Sequence, residues 1–88
     1  MQVEFLSRFN KDVDALSDDK VKTSLLKIIE EVEKANSIRQ LSNVKKLIGY
    51  KTAYRLKMGE YRIGFFFENS VFQFARFVHR KDIYKVFP

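Results

Sequence analysis

Two different hydrophobic periods divide the chain. Near the start, Val3 and Phe5 alternate with polar neighbours, so Met1–Leu6 reads as a short strand. Ser7 then offers a helix cap, and Phe9, Val13 and Leu16 follow at spacings of four and three. Ser17, Asp18 or Asp19 opens a second, longer helix. Its apolar stripe is Val21, Leu25, Ile28, Ile29 and Val32, with Lys22, Lys27, Glu30, Glu31 and Lys34 on the opposite side. This helix should end near Ala35-Asn36-Ser37. Ile38, Leu41, Val44 and Leu47 recur every three residues, which suggests a short helix or 3₁₀ piece ended by Gly49. Beyond it the period drops to two. Ala53–Met58, Tyr61–Glu68 and Val71–His79 are rich in β-formers, and tight connections at Met58-Gly59-Glu60 and Glu68-Asn69-Ser70 join them into an antiparallel meander.

The order predicts an α+β fold: an N-terminal strand, a two-helix hairpin, then a three-stranded antiparallel meander, with the helices packed on one sheet face. Eighty-eight residues suit one domain spanning 1–88. With no cysteine, disulfides, Cys-based zinc sites and a thiol nucleophile are excluded, and a single histidine argues against a His-cluster metal site. No run approaches the length of a membrane span, and the first residues lack the basic start and apolar stretch of a signal peptide. A cytoplasmic protein without a metal or small-molecule cofactor is expected.

Charge changes the picture. Residues 1–44 carry 7 basic and 8 acidic side chains, whereas residues 45–88 carry 10 basic and 3 acidic ones and hold 11 of the 13 aromatics. A basic half rich in rings is an electrostatic footprint for nucleic acid, although a merely solvated basic sheet face has the same composition. Parity sharpens this. In the first meander strand Arg55 and Lys57 share one face, and Tyr54, Leu56 and Met58 share the other. If Ile63, Phe65 and Phe67 of the next strand point to the helices, Arg62 joins Arg55 and Lys57 on the open face. Three clustered cations repel one another unless an anion such as phosphate sits among them; the plain alternative is three solvated surface cations.

The last stretch concentrates chemistry in His79, Arg80 and Tyr84. Histidine is the side chain whose ordinary titration suits proton transfer near neutrality. Arginine offers a planar fork for a phosphate, and a tyrosine ring stacks on an exposed base or, with Phe87, seals the sheet. Lys45, Lys46, Lys51, Lys81 and Lys85 are candidates for RNA contact, though each alone fits an ordinary solvated lysine.

Three segments carry a resemblance. Ala53–Ile63 (AYRLKMGEYRI) resembles the "YR-x-x-x-G-(D/E)-YR" hairpin of the RelE/ParE toxin superfamily. His79–Tyr84 (HRKDIY) is similar to that family's "H-R-K-D-(V/I)-Y" signature, and Leu47-Ile48-Gly49 stands where it has "L-x-G". With the matching order of elements, the resemblance spans essentially the whole chain. It implies the toxin of a type II toxin–antitoxin pair, with a cognate antitoxin, the ribosome and mRNA as partners. RelE-like members cut mRNA on the ribosome without metal; ParE-like members poison DNA gyrase instead. Carried over by position, Arg62 is the phosphate-contacting arginine, Arg55 and Lys57 the preceding basic pair, and Arg80 and Tyr84 the C-terminal basic residue and substrate-facing tyrosine. His79 lies where some nucleases place a catalytic histidine, and it is the preferred general acid. No carboxylate looks well placed beside it, since Glu60 belongs to a turn. Any helix after Tyr84 must be very short. The expected function is a ribosome-dependent endoribonuclease. The alternatives are a ParE-like gyrase inhibitor and a non-catalytic basic RNA-binding module.

Overall fold

A computed structural model describes residues 1–88. In chain order the elements are β1 (Gln2–Phe5), α1 (Ser7–Asp14), α2 (Asp19–Lys34), a 3₁₀ turn (Ile38–Gln40), β2 (Val44–Lys46), β3 (Ala53–Met58), β4 (Tyr61–Glu68), β5 (Val71–His79) and α3 (Ile83–Val86). One sheet holds all the strands in the order β1-β5-β4-β3-β2. β1 runs parallel to β5, and the other pairs are antiparallel. The expected α+β arrangement is present, with the meander extended by one strand.

That extra strand is β2. The period-three recurrence from Ile38 to Leu47 becomes a 3₁₀ turn only at Ile38–Gln40. Asn43 then takes a left-handed backbone, φ 65°, and the chain leaves as an edge strand. Val44, Lys45 and Lys46 pair with Leu56, Arg55 and Tyr54. Adjacent lysines on so short a strand protect an exposed edge from pairing with other chains. A second difference concerns α1. Its N-cap is Leu6, in extended backbone with no side-chain cap, and Ser7 lies inside the first turn. The cap of α2 is Asp18, whose carboxylate accepts the N–H groups of Lys20 and Val21 at 2.9 and 3.4 Å.

The helix side of the sheet carries the main core: Phe9, Leu25, Val32, Leu56, Ile63, Phe65, Phe72, Phe74 and Phe77. Phe65 and Phe72 stack with centroids 3.9 Å apart, and Phe74 tilts onto both Phe72 and Phe9. Burying each such ring stabilises the fold by about 1.5–3 kcal/mol. A β-bulge keeps the alternation useful. Gly64 pairs with Arg76, but Phe65 pairs with Phe74, so Ala75 has no partner opposite. Phe72 and Phe74 before the bulge and Phe77 after it therefore all reach the helix side.

The opposite side is not open throughout. Leu47, Ala53, Ala75, Ile83 and Phe87 form a second, smaller core, joined by Leu6, Phe66 and Val78. The C-terminal tail folds back over the strands to make it. Phe87 lies flat enough on Gly64 that a Cβ there would meet its ring atoms at 2.7–3.0 Å. Only glycine permits so close an approach. Finally, Asp12 ties α1 to β5. Its carboxylate accepts from Arg76 Nε at 2.8 Å, Arg76 Nη2 at 3.1 Å and the Phe77 N–H at 2.8 Å. These hydrogen bonds hold the Arg76 guanidinium above its ordinary pKa, against the opposing effect of burial.

Candidate functional site

The β3–β4 turn is the centre of the site. Gly59 opens it with a left-handed φ of 58°, which a glycine supplies without strain in a two-residue hairpin. Two backbone carbonyls at this turn accept from Arg62. Its Nη1 donates to Gly59 O at 2.8 Å and Tyr61 O at 2.9 Å. A guanidinium has five N–H donors, so those on Nη2 and Nε remain for an anion. The two carbonyl bonds fix the plane in which they point.

The end of β5 reaches the same turn from the other side. Tyr61 and His79 are cross-strand partners with rings 5.9 Å apart, edge to face. The Arg80 N–H donates to Glu60 O at 2.8 Å. The Glu60 carboxylate stands 3.1 Å from Arg80 Nε and 3.7 Å from His79 Nε2. His79 Nδ1 accepts the Lys81 N–H at 3.2 Å, which places the neutral ring's proton on Nε2, facing Glu60. Glu60 therefore does stand beside the histidine. Sequence reasoning missed it because the contact depends on the β4–β5 register, which no local pattern reveals. Glu60 and Arg80 are both exposed and His79 is half-buried, so the cluster is open to a ligand.

The parity expectation for the basic face holds. Lys57 pairs with Arg62 across β3–β4, and Arg55 pairs with Gly64 on one side and Lys45 on the other. Arg55 Nη1 donates to Asn43 O at 3.4 Å, while Lys57 is exposed and makes no ion pair. A row of cations thus runs across β2, β3 and β4 on the side away from the helices. His79 belongs to the other parity, next to Tyr61, so it and Arg62 leave the sheet on opposite sides and share only the hairpin turn that each touches.

Tyr84 stands apart from the turn cluster. It projects from α3 into a cleft of about 320 Å³ lined by Lys45, Lys46, Leu47, Ile48, Tyr50, Phe87 and Pro88. Of the remaining candidates, Lys51 and Lys81 are exposed, and Lys85 sits 3.9 Å from Asp82. The tail carrying Tyr84 is a helix of four residues, as short as expected. Of the two tail rings, Phe87 seals the sheet and Tyr84 does not.

No family model matches the chain. It is similar to Toxin RelE3 of Methanocaldococcus jannaschii, with 37% identity over 89 residues spanning 100% of each chain. The fold superposes on the crystal structure of a RelB-RelE antitoxin-toxin complex from Methanococcus jannaschii with a TM-score of 0.81. The identity there is 34%, covering 97% of this chain and 99% of that one. The YoeB dimer from Staphylococcus aureus shares the fold at 12% identity, with a TM-score of 0.72 over 91% of this chain and 97% of that one.

Proposed function

The chain belongs to the RelE toxin family, and from that premise we propose that residues 1–88 act as one toxin domain that cleaves mRNA on the ribosome. It is the toxin of a toxin–antitoxin pair, held in check by a cognate antitoxin. Its place of action is the cytoplasm, where ribosomes translate; none of its helices is long and apolar enough to cross a membrane.

The observation that carries this reading is the convergence of Arg62, Glu60, His79 and Arg80 on one hairpin turn. RNA brings its own nucleophile. The ribose 2′-oxygen attacks the adjacent phosphorus, the bond to the 5′-oxygen breaks, and a 2′,3′-cyclic phosphate and a 5′-hydroxyl result. The protein has to align the phosphate, offset its growing charge and move two protons. Arg62 offers its free donors to the phosphate, with Arg55 and Lys57 behind it. Arg80, held by Glu60, supplies a second fork. His79 acts in its imidazolium form, in which Nδ1 carries a proton and gives up the Lys81 N–H, and it donates the Nε2 proton to the leaving 5′-oxygen, returning to the neutral ring. Glu60, the carboxylate of the cluster, takes the proton of the 2′-hydroxyl. The basic face suits an antitoxin segment that is acidic or extended, because covering these cations silences the site.

Primer extension on a defined mRNA, with and without programmed ribosomes, tests the assignment. Wild type should cut only on the ribosome. Arg62→Ala, His79→Ala and Glu60→Gln should each lower the cleavage rate by about 10²–10⁴ while remaining folded. Full cleavage by a folded Arg62→Ala protein would overturn the phosphate clamp. A folded wild type that never cuts would direct attention to gyrase supercoiling instead.

A further inference from the structure

The catalytic cluster straddles the hairpin turn. Arg62 and the cation row of Lys45, Arg55 and Lys57 serve the sheet face away from the helices, whereas His79 leaves on the helix side. The atom beside the general acid is the leaving 5′-oxygen, which belongs to the nucleotide 3′ of the cut. That nucleotide therefore lies on the helix side of the turn, beyond the reach of the cation row.

A groove of about 280 Å³ stands there, between the first turns of α2 and the β3–β4 turn. Met58 and Tyr61, cross-strand partners packed on the main core, line its sheet wall. Lys20 and Ser24 line its helix wall. They are four residues apart on α2, one above the other, so both side chains face the same way. Glu60 lines the groove as its one carboxylate and connects it to the cluster, since that carboxylate is held by Arg80 at 3.1 Å and stands 3.7 Å from His79. Lys20 is the one cation of the groove; it is exposed and makes no ion pair. Thr23 turns its hydroxyl back to Asp19 O at 2.9 Å, but Ser24 is exposed and keeps its hydroxyl free. The N–H groups of Lys20 and Val21 are already spent on the Asp18 cap, so the pull on an anion comes from the lysine side chain. A free ammonium and a free hydroxyl, set side by side next to the general acid, match the backbone of one nucleotide: its phosphate on Lys20 and its sugar hydroxyl on Ser24.

We infer that the groove between α2 and the β3–β4 turn receives the nucleotide 3′ of the cut, with Lys20 holding the next phosphate along the RNA. This rests on the nuclease reading and adds Lys20, with Ser24, as positioning residues on α2. The RNA then crosses the turn. Its 5′ side lies along the cation row and its 3′ side enters the groove, which draws the scissile phosphate over the edge between Arg62 and His79. Because the groove grips backbone, it sets the direction of the strand and not its sequence.

The test uses the full chain and ribosomes programmed with mRNAs that carry a neutral methylphosphonate at one linkage in or beside the decoded codon, scanned in turn. Cleavage of the all-ribose mRNA locates the cut, and a 2′-deoxy sugar 5′ to it then removes the nucleophile, so that binding is read without cleavage. Lys20→Ala should raise the half-saturating toxin concentration about fivefold on the fully charged mRNA. On the mRNA made neutral at the first linkage 3′ of the cut, wild type and Lys20→Ala should bind alike. Lys20→Arg, which keeps the charge, should match wild type on both. If Lys20→Ala binds the charged mRNA as tightly as wild type, or loses as much on every neutralised mRNA, the lysine does not hold this phosphate and the inference falls even where cleavage is normal. Coupling to a linkage 5′ of the cut would reverse the strand and overturn it as well. If the Lys20-dependent coupling appears at one linkage of an mRNA that is never cut, the groove stands as a backbone site and the nuclease reading falls.

Discussion

The two sides of the sheet are built from the same strands and do opposite work. On the helix side, nine buried residues form a thick core dominated by phenylalanine. On the other side, five buried residues make a thin one, roofed by a four-residue helix and one ring. The thick side has no cations in its centre. The thin side is bordered by Lys45, Arg55, Lys57 and Arg62. The difference teaches how an 88-residue chain holds a repulsive basic surface. Helix-side burial supplies the stability, and small residues (Ala53, Gly64 and Ala75) on the far side let the tail, with its one short helix, pack close.

Substitutions on either side sharpen that contrast. The largest effect belongs to the thick core: Phe65→Ala should cost about 3–5 kcal/mol in denaturant unfolding and remove a folded protein at elevated temperature. A loss below 1 kcal/mol would show that the two sides share the load. Next comes the strap between them. Asp12→Ala strands the Arg76 charge and the Phe77 N–H together, and about 2–3 kcal/mol should be lost. The raised Arg76 pKa gives this pair a definite pH behaviour. Its contribution is fully present below arginine's unfolded value and fades only above it, so the loss in Arg76→Met should stay constant from neutrality to about pH 10.

Smaller still is the thin core. Gly64→Ala should displace Phe87 and lower stability by about 1–3 kcal/mol. In a Phe87→Ala background the same change should cost almost nothing, because the ring it strikes is gone. Equal costs in both backgrounds would disprove the contact. At the bottom of the scale, Lys57→Ala should shift stability by under about 0.5 kcal/mol, yet slow ribosome-dependent cleavage measurably. If Lys57→Ala instead unfolds the protein, the division between a stabilising side and a working side fails.

The thick side was legible in the sequence because it obeys simple periods. The α2 stripe Val21, Leu25, Ile28, Ile29 and Val32 faces the core as expected, and so do Ile63, Phe65 and Phe67. The motif residues were equally visible. What could not be read was anything that needs a partner. β2 has three residues and two lysines, so it has no pattern of its own and exists only by pairing with β3. Glu60 became a neighbour of His79 through the register between β4 and β5. Tyr50 belongs to no motif, and only the fold sets it in one cleft with Tyr84. Leu6 replaced Ser7 as the cap because the chain is still extended there as it leaves β1.

The unpaired Ala75 acts on the strand as a shifted reading frame acts on a message. Every residue after it is displaced by one in the two-step count that assigns side chains to faces. Counted straight from Phe72, His79 would land among the arginines of the far face; with the extra residue it lands beside Tyr61 and Glu60. A deletion at Ala75 would therefore leave the composition, the motif and nearly all the sequence intact, while addressing the histidine and everything after it to the wrong side of the sheet.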